Sequence, residues 1–182
     1  MPQALLIIDI QNDYFPGGAM ELVGSPEAGA RAAELLATFR DRQLPVIHIQ
    51  HLSTRPGATF FLPGTKGADF HSCVAPAAGE PVFTKHFPNA FRDTGLLAWL
   101  RERGIDQLVV AGMMTHMCVD TTVRAAFDLG FACTLAHDAC ATRDLAFAGT
   151  TVAAQQVQAA YLAALGGVFA TPQTASEIMA GL

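Results

Sequence analysis

Residues 108–120 read L-V-V-A-G-M-M-T-H-M-C-V-D, and this stretch decides the fold. Its first four residues form an apolar run with the length and β-branched content of a buried parallel strand. Gly112 interrupts that run, and helical periodicity begins at Thr115. A strand that leads straight into a helix is typical of a βαβ unit, so this stretch predicts a parallel sheet covered by helices.

The rest of the chain repeats this alternation of strand and helix. We predict strands at residues 4–8, 45–50, 82–84, 106–111, 131–136 and 167–170. We predict helices at residues 25–43, 93–103, 115–129 and 150–165, with a last helical turn at 176–179. The pattern predicts one α/β domain over residues 1–182, a three-layer α/β/α sandwich around a six-stranded parallel sheet. A Gly- and Pro-rich segment, residues 51–80, has the length of a functional lid or binding loop.

Composition restricts the class of protein. The chain has 182 residues, a net charge of −5 and 51% hydrophobic residues. The absence of a basic cluster argues against a nucleic-acid partner, and no apolar run reaches the roughly 18–20 residues of a membrane helix. We see no signal peptide and no C-x-x-C pair among the four cysteines, so we expect a cytoplasmic protein with reduced thiols.

Three polar residues stand at the carboxyl ends of predicted strands: Asp9, Lys85 and Cys118. These ends share one edge of a parallel sheet, where open α/β folds bind their ligands. Lys85 and the helix start would lower the pKa of the Cys118 thiol, and Asp9 would carry its proton. Each residue also has a purely structural interpretation: a turn carboxylate, a solvated charge and a buried packing thiol. Spacing alone leaves both interpretations open.

Three segments resemble the signature blocks of the isochorismatase-like cysteine hydrolases. They are L-L-I-I-D-I-Q-N-D-Y-F at 5–15, V-F-T-K-H-F-P-N-A-F at 82–91, and G-M-M-T-H-M-C-V-D-T-T-V-R-A-A-F-D-L-G-F at 112–131. The resemblance implies a catalytic triad of Asp9, Lys85 and Cys118 and a cis peptide between Met113 and Met114. It also implies that the N–H groups of Met114 and Cys118 bind the oxyanion.

Within that family, the chain resembles the branch of streptothricin hydrolase and, less closely, the nicotinamidases. Nicotinamidases carry an Asp-x-His metal motif after the second strand, where this chain has His48 and His51 without the aspartate. In an extended strand these two side chains point to opposite faces. We therefore expect no metal and no cofactor, with His48 in the core and His51 facing the substrate.

The expected activity is hydrolysis of an amide or cyclic imide of a small molecule through an acyl-enzyme on Cys118. The alternatives are a vinyl-ether hydrolase of the isochorismatase type, a nicotinamidase-like amidase and a non-catalytic binding protein. The resemblance and the high apolar content predict a homo-oligomer, a dimer or a tetramer. We expect His116 to be solvated or at an interface, and His86 to point away from the site. The predicted substrate pocket comprises Phe15, His51, Phe60, Phe61 and Met114.

Overall fold

The structure is a computed structural model that describes residues 3–182. Residues 1 and 2 lie outside the described residues, and they belong to the N-terminal segment in which we see no signal peptide. Six parallel strands form one sheet: β1 (Gln3–Ile8), β2 (Val46–His51), β3 (Val82–Lys85), β4 (Gln107–Met113), β5 (Ala132–Ala141) and β8 (Thr171–Gln173). Their order in the sheet is β3-β2-β1-β4-β5-β8, and β6 (Leu145–Phe147) and β7 (Thr150–Val152) form a separate hairpin.

Five α-helices cover the two faces of this sheet. They are α1 (Ser25–Asp41), α2 (Leu96–Glu102), α3 (Asp120–Asp128), α4 (Ala154–Gly166) and α5 (Ala175–Gly181). Successive side chains of β1 alternate between the faces, because a strand has a period of two. Leu5 and Ile7 pack in the core layer that contains α1, and Leu6 and Ile8 in the layer that contains α2 and α3. The predicted three-layer sandwich with a six-stranded parallel sheet is confirmed.

Several predicted boundaries are wrong. The helix expected at 93–103 begins at Leu96, since Asp93 has a φ of 56°, in the left-handed region. The last strand lies at Thr171–Gln173 instead of 167–170. The N–H groups of Phe169 and Ala170 still donate to the carbonyl of Leu165, so these residues complete the end of α4.

A β-hairpin replaces the start of the helix predicted at 150–165. Strands β6 (Leu145–Phe147) and β7 (Thr150–Val152) pair in antiparallel register. The turn residues Ala148 and Gly149 have φ values of 48° and 80°, as the tight turns that suit a twisted hairpin require. Helix α4 therefore begins only at Ala154.

Gly112 sets the distance between the two central strands. It pairs with Ile8 across β1 and β4, and its φ of 149° favours glycine. A Cβ atom at this position would lie 2.2 Å from the Ile8 carbonyl oxygen. Only glycine therefore permits the close approach that brings the ends of β1 and β4 together.

Within residues 3–182, no helix combines the length and the apolar character needed to cross a bilayer.

Candidate active site

The side chains of Asp9, Lys85 and Cys118 converge at the carboxyl edge of the sheet. Asp9 follows β1, Lys85 is the last residue of β3, and Cys118 lies in the turn after β4. The Lys85 Nζ atom is 2.6 Å from Asp9 Oδ2 and 3.2 Å from Cys118 Sγ. All three residues are buried. The sheet order explains the convergence, since β1 and β4 are neighbours and β3 is two strands from β1.

His51 is the fourth side chain in this cluster. It pairs with Lys85 across β2 and β3, and its Nδ1 atom is 2.9 Å from Lys85 Nζ. Burial, and then the charge of Lys85, lower the pKa of His51 to about 3, so the imidazole is neutral. An ammonium group can only donate, so Nδ1 is the acceptor and the ring proton resides on Nε2.

The Lys85 ammonium group has three polar neighbours. Its Nζ atom forms an ion pair with Asp9 and hydrogen-bonds to His51 Nδ1 and Cys118 Sγ. This arrangement places one positive charge beside both Asp9 and Cys118.

The protonation state of Cys118 differs from the expected thiolate. Burial, and then the negative charge of Asp9, raise the pKa of the thiol, and Lys85 offsets only part of this rise. Burial also raises the pKa of Asp9 against the opposing charge of Lys85. Burial alone would lower the pKa of Lys85, but Asp9 and Cys118 raise it above its ordinary value. The resting site is therefore an ammonium–carboxylate pair next to a neutral thiol.

Gln11 positions His51 and the long loop, and the sequence analysis missed it. Its Oε1 accepts the N–H of His51 at 2.8 Å, and its Nε2 donates to the His51 carbonyl at 3.0 Å. The same Nε2 donates to the carbonyl of Ala68 at 2.7 Å. A buried amide that pairs with both polar groups of one backbone residue fixes the end of β2.

The backbone before Cys118 has the expected cis peptide between Met113 and Met114. Residues Thr115–Val119 then form a π-helical turn, in which the N–H of Val119 donates to the carbonyl of Met114. Such turns are frequent at functional sites. The turn precedes α3, so the helix predicted from Thr115 is divided into two parts. The binding of an oxyanion by the N–H groups of Met114 and Cys118 stays a prediction.

A cavity of about 420 Å³ opens onto Cys118. Of the predicted pocket residues, His51, Phe60 and Met114 line it. The sequence analysis missed several further lining residues: Tyr14, Met20, Arg55, His86, Met117 and Arg143. These residues lie in loops or just beyond strand ends, where periodicity carries no information about side-chain direction.

Phe15 and Phe61 do not line this cavity, contrary to the prediction. The short 3₁₀ turn Asn12–Tyr14 directs Tyr14 to the cavity, and the next ring, Phe15, stacks on His71 with centroids 3.6 Å apart. Phe61 is fully buried, because its N–H donates to Asp13 Oδ2 at 2.6 Å and its ring packs on Tyr14. Phe61 therefore supports the cavity wall from behind, through its contacts with Tyr14 and Phe60.

Three histidines outside the cluster of Asp9, Lys85, Cys118 and His51 also have defined positions. His48 is fully buried and its Nε2 is 2.8 Å from Glu80, as expected of a core histidine. His116 was expected at the surface but is buried, with Nδ1 2.6 Å from Thr142 Oγ1. His86 lines the cavity instead of pointing away from it, while its Nδ1 contacts the Leu52 carbonyl.

A metal ion fits this site poorly. Ligand atoms of Asp9, His51 and Cys118 lie within 4.8 Å of one another, a spacing that a cation could bridge. The Lys85 ammonium, however, contacts all three residues and supplies the positive charge itself. His48 lies near the position where nicotinamidases carry their metal motif, but here its Nε2 atom contacts Glu80. The residues present therefore provide no three-ligand metal site of the nicotinamidase kind.

Comparison with known proteins identifies the family of this chain. The family model for the isochorismatase domain matches residues 3–175. The isochorismatase family protein YddQ of Bacillus subtilis is 46% identical over 179 residues, 98% of this chain and 99% of that protein. A crystal structure described as an isochorismatase hydrolase, from Oleispira antarctica, superimposes with a TM-score of 0.95 at 50% identity, covering 99% of this chain and 97% of that one.

The relatives with named activities include two hydrolases. A streptothricin hydrolase of Streptomyces noursei is 40% identical over 146 residues, 79% of this chain and 51% of that enzyme. The nicotinamidase/pyrazinamidase of Mycobacterium tuberculosis is 34% identical over 173 residues, 84% of this chain and 91% of that enzyme. With a family model that spans nearly all of its length and close relatives over the same span, this chain belongs to the isochorismatase family of hydrolases.

Proposed function

We propose that this protein is a cysteine amidohydrolase that cleaves a C–N bond of a small molecule, with Cys118 as nucleophile. The observation that carries the proposal is the single ammonium group of Lys85, which contacts both the Asp9 carboxylate and the Cys118 sulfur beside a cavity. A carboxylate next to a thiol supplies a base for its activation and an acid for the leaving group.

The first half of the reaction forms a thioester. The Cys118 S–H proton moves to Asp9 while the sulfur attacks the carbonyl carbon. Lys85 donates a hydrogen bond to the Cys118 sulfur. Because the sulfur is the acceptor in this bond, its own S–H proton is free to point at the Asp9 carboxylate. The N–H groups of Met114 and Cys118 stabilise the oxyanion, and loss of one such donor typically costs about 100-fold or more in rate. Asp9 then gives its proton to the leaving nitrogen as the C–N bond breaks.

The second half hydrolyses the thioester. Asp9, a carboxylate again, removes a proton from water, whose oxygen attacks the acyl carbon. The C–S bond breaks and Cys118 recovers the proton from Asp9. The raised pKa of Asp9, caused by its burial, suits a group that takes and returns a proton in each half.

The named relatives support cleavage of a C–N bond. One of them is called a nicotinamidase/pyrazinamidase, a name that denotes amide hydrolysis. The cysteine favours a covalent route over the vinyl-ether chemistry of isochorismatases proper, for which the aspartate alone can serve as acid. A screen of candidate amides would identify the substrate.

The test is a screen of amides, cyclic imides, ureido acids and nicotinamide, in which released ammonia or amine is measured. With any compound that turns over, we expect Cys118→Ala to lower kcat by about 10⁴-fold or more. Cys73→Ala is the matched control, because that thiol is half-buried and lies outside the cavity. Turnover that survives in Cys118→Ala but is lost in Asp9→Asn would reject the covalent route and favour ether-type chemistry.

A further inference from the structure

The Tyr14 hydroxyl is a polar group of the cavity that the mechanism leaves unused. Tyr14 lines the cavity and is 1% exposed. Within residues 3–182, its hydroxyl forms no hydrogen bond. The oxygen is also absent from the fully enclosed polar atoms that lack a partner among the same residues, so the exposed part of Tyr14 includes this oxygen, at the cavity surface. Because a buried tyrosine hydroxyl ordinarily has a partner, a molecule bound in the cavity is the expected acceptor.

The ring that carries this hydroxyl is held firmly. It packs on Phe60 and Phe61, with ring centroids 5.9 Å and 4.5 Å away. The backbone N–H of Tyr14 donates to the carbonyl of Gln11 at 3.1 Å, and the carbonyl of Tyr14 accepts the N–H of Leu22 at 3.0 Å. The hydroxyl oxygen therefore has a fixed position, and only its hydrogen rotates to meet an acceptor.

The hydroxyl is a neutral hydrogen-bond donor that lies close to the nucleophile. Burial, and then the negative charges of Cys118 and Asp9, raise the pKa of Tyr14 well above its ordinary value. A phenol that keeps its proton at neutral pH donates a hydrogen bond and does not act as a base. The influence of Cys118 and Asp9 also indicates that both are near the hydroxyl, because the interaction between charges decreases with distance.

The topology places the hydroxyl above the end of β4. Tyr14 follows β1, and Arg143, whose charge also influences the pKa of Tyr14, follows β5. Strand β4 lies between β1 and β5 in the sheet and leads into Met114 and Cys118. His51, by contrast, ends β2, on the other side of β1. The hydroxyl is therefore on the side of the cavity where the backbone N–H groups of Met114 and Cys118 lie.

We propose that Tyr14 is a further catalytic residue, whose hydroxyl donates a hydrogen bond to the carbonyl oxygen of the substrate as Cys118 attacks. This role rests on the proposed amidohydrolase function and adds a side-chain donor to its oxyanion site. In this step the C–S bond forms, and one electron pair of the C=O bond moves to the oxygen. The thiol proton goes to Asp9, whereas Tyr14 keeps its own proton. A donor beside a developing negative charge binds more strongly in the transition state than in the ground state.

Tyr14→Phe tests this role, because it removes the hydroxyl and retains the ring. With an amide that turns over, we expect kcat to fall about 100-fold and KM to change less than about threefold, since the hydrogen bond strengthens only in the transition state. Tyr161→Phe is the matched control, because Tyr161 is the other tyrosine of the chain, is half-buried and lies outside the cavity. Urea denaturation of Tyr14→Phe should have the wild-type midpoint, as expected of a substitution that leaves the fold intact.

A small aldehyde tests the same hydrogen bond without turnover. When a thiol adds to an aldehyde, the C–S bond forms and the thiol proton ends on the carbonyl oxygen, which then lies where the oxyanion would. Butyraldehyde labelled with carbon-13 at its carbonyl reports this adduct by NMR, as the signal that Cys118→Ala lacks. We expect wild type and Tyr161→Phe to form the adduct equally, and Tyr14→Phe to form it about 10-fold more weakly, a typical loss for one hydrogen bond.

The two measurements separate the possible failures. If Tyr14→Phe cleaves the amide and binds the aldehyde as wild type does, or if it raises KM without lowering kcat, the role of Tyr14 is wrong although the amidohydrolase proposal survives. If no amide is cleaved but the aldehyde adds to Cys118 in a Tyr14-dependent manner, the role of Tyr14 is supported and the choice of a C–N bond is wrong. If the wild-type protein neither cleaves an amide nor adds the aldehyde at Cys118, the proposed nucleophile fails, and the role of Tyr14 fails with it.

Discussion

Replacing Lys85 with methionine removes the ammonium group on which the cluster depends. In the native protein this group contacts Asp9 at 2.6 Å, His51 at 2.9 Å and Cys118 at 3.2 Å, in a buried environment. Its loss leaves the Asp9 carboxylate buried without a counter-charge, a change that typically costs about 3–5 kcal/mol. For a domain of this size, that cost corresponds to a fall in Tm of about 10 °C.

The stability of Lys85→Met should also depend on pH. Without Lys85, its charge and its hydrogen bond no longer lower the pKa of Asp9, so burial raises that pKa further above its value in the unfolded chain, and only the hydrogen bond with Cys118 still opposes this rise. The folded variant then binds a proton that the unfolded chain has released. Its stability is therefore highest below the unfolded pKa, near 4, and falls as the pH rises towards the raised folded value. The destabilisation relative to wild type should be greater at pH 8 than at pH 5.

Urea denaturation of the variant at pH 5 and pH 8 measures both effects. Lys66→Met is the matched control, because Lys66 is the other lysine of the chain and is exposed; its effect should stay within about 0.5 kcal/mol. The double variant Asp9→Asn/Lys85→Met should recover much of the loss, since no charge is left unpaired. Destabilisation of Lys85→Met that is small, independent of pH and not relieved by Asp9→Asn would refute this reasoning.

Two further substitutions test the electrostatics and the backbone of the site. Iodoacetamide should alkylate Cys118 more slowly than free cysteine at pH 7, and Asp9→Asn should accelerate the reaction, because the Asp9 charge helps to raise the pKa of the thiol. Rapid labelling that is insensitive to Asp9→Asn, as measured by peptide mass spectrometry, would contradict this. Gly112→Ala should lower the free energy of unfolding by about 3 kcal/mol, because its Cβ would meet the Ile8 carbonyl. Gly181→Ala, with open space around it and an ordinary φ, is the control and should cost almost nothing.

The convergence of Asp9, Lys85 and Cys118 could be predicted because it follows from strand direction alone. In a parallel sheet, residues just beyond the carboxyl ends of neighbouring strands lie at one edge, whatever their separation in sequence. The apolar run at residues 4–8 shows where β1 ends, directly before Asp9. Gln11, two residues beyond Asp9, carries no such signal, because its role depends on the backbone of His51 in another strand.

The cavity wall could not be predicted in the same way. Phe60 and Phe61 are neighbours in a long loop, and only the hydrogen bond from Phe61 to Asp13 determines which ring turns inwards. Arg143 follows β5, whose end was predicted five residues too early. A sequence pattern marks a loop without giving the direction of its side chains.

The charge state of Cys118 also depends on tertiary structure. The helix start and Lys85 suggested a thiolate, since both are visible in the sequence. The larger influences are the burial of the sulfur and its closeness to Asp9, which only the folded chain reveals. The role expected of Asp9, to carry the thiol proton, is unchanged, but the group that it has to activate is a neutral thiol and not a thiolate.

Acid quenching of the enzyme during turnover, followed by mass spectrometry of the peptide that contains Cys118, tests the nucleophile most directly. The mechanism predicts an adduct on this sulfur whose mass equals that of the substrate less the released amine or ammonia, absent from Cys118→Ala. Steady turnover without any such adduct, together with undiminished activity in Cys118→Ala, would contradict it.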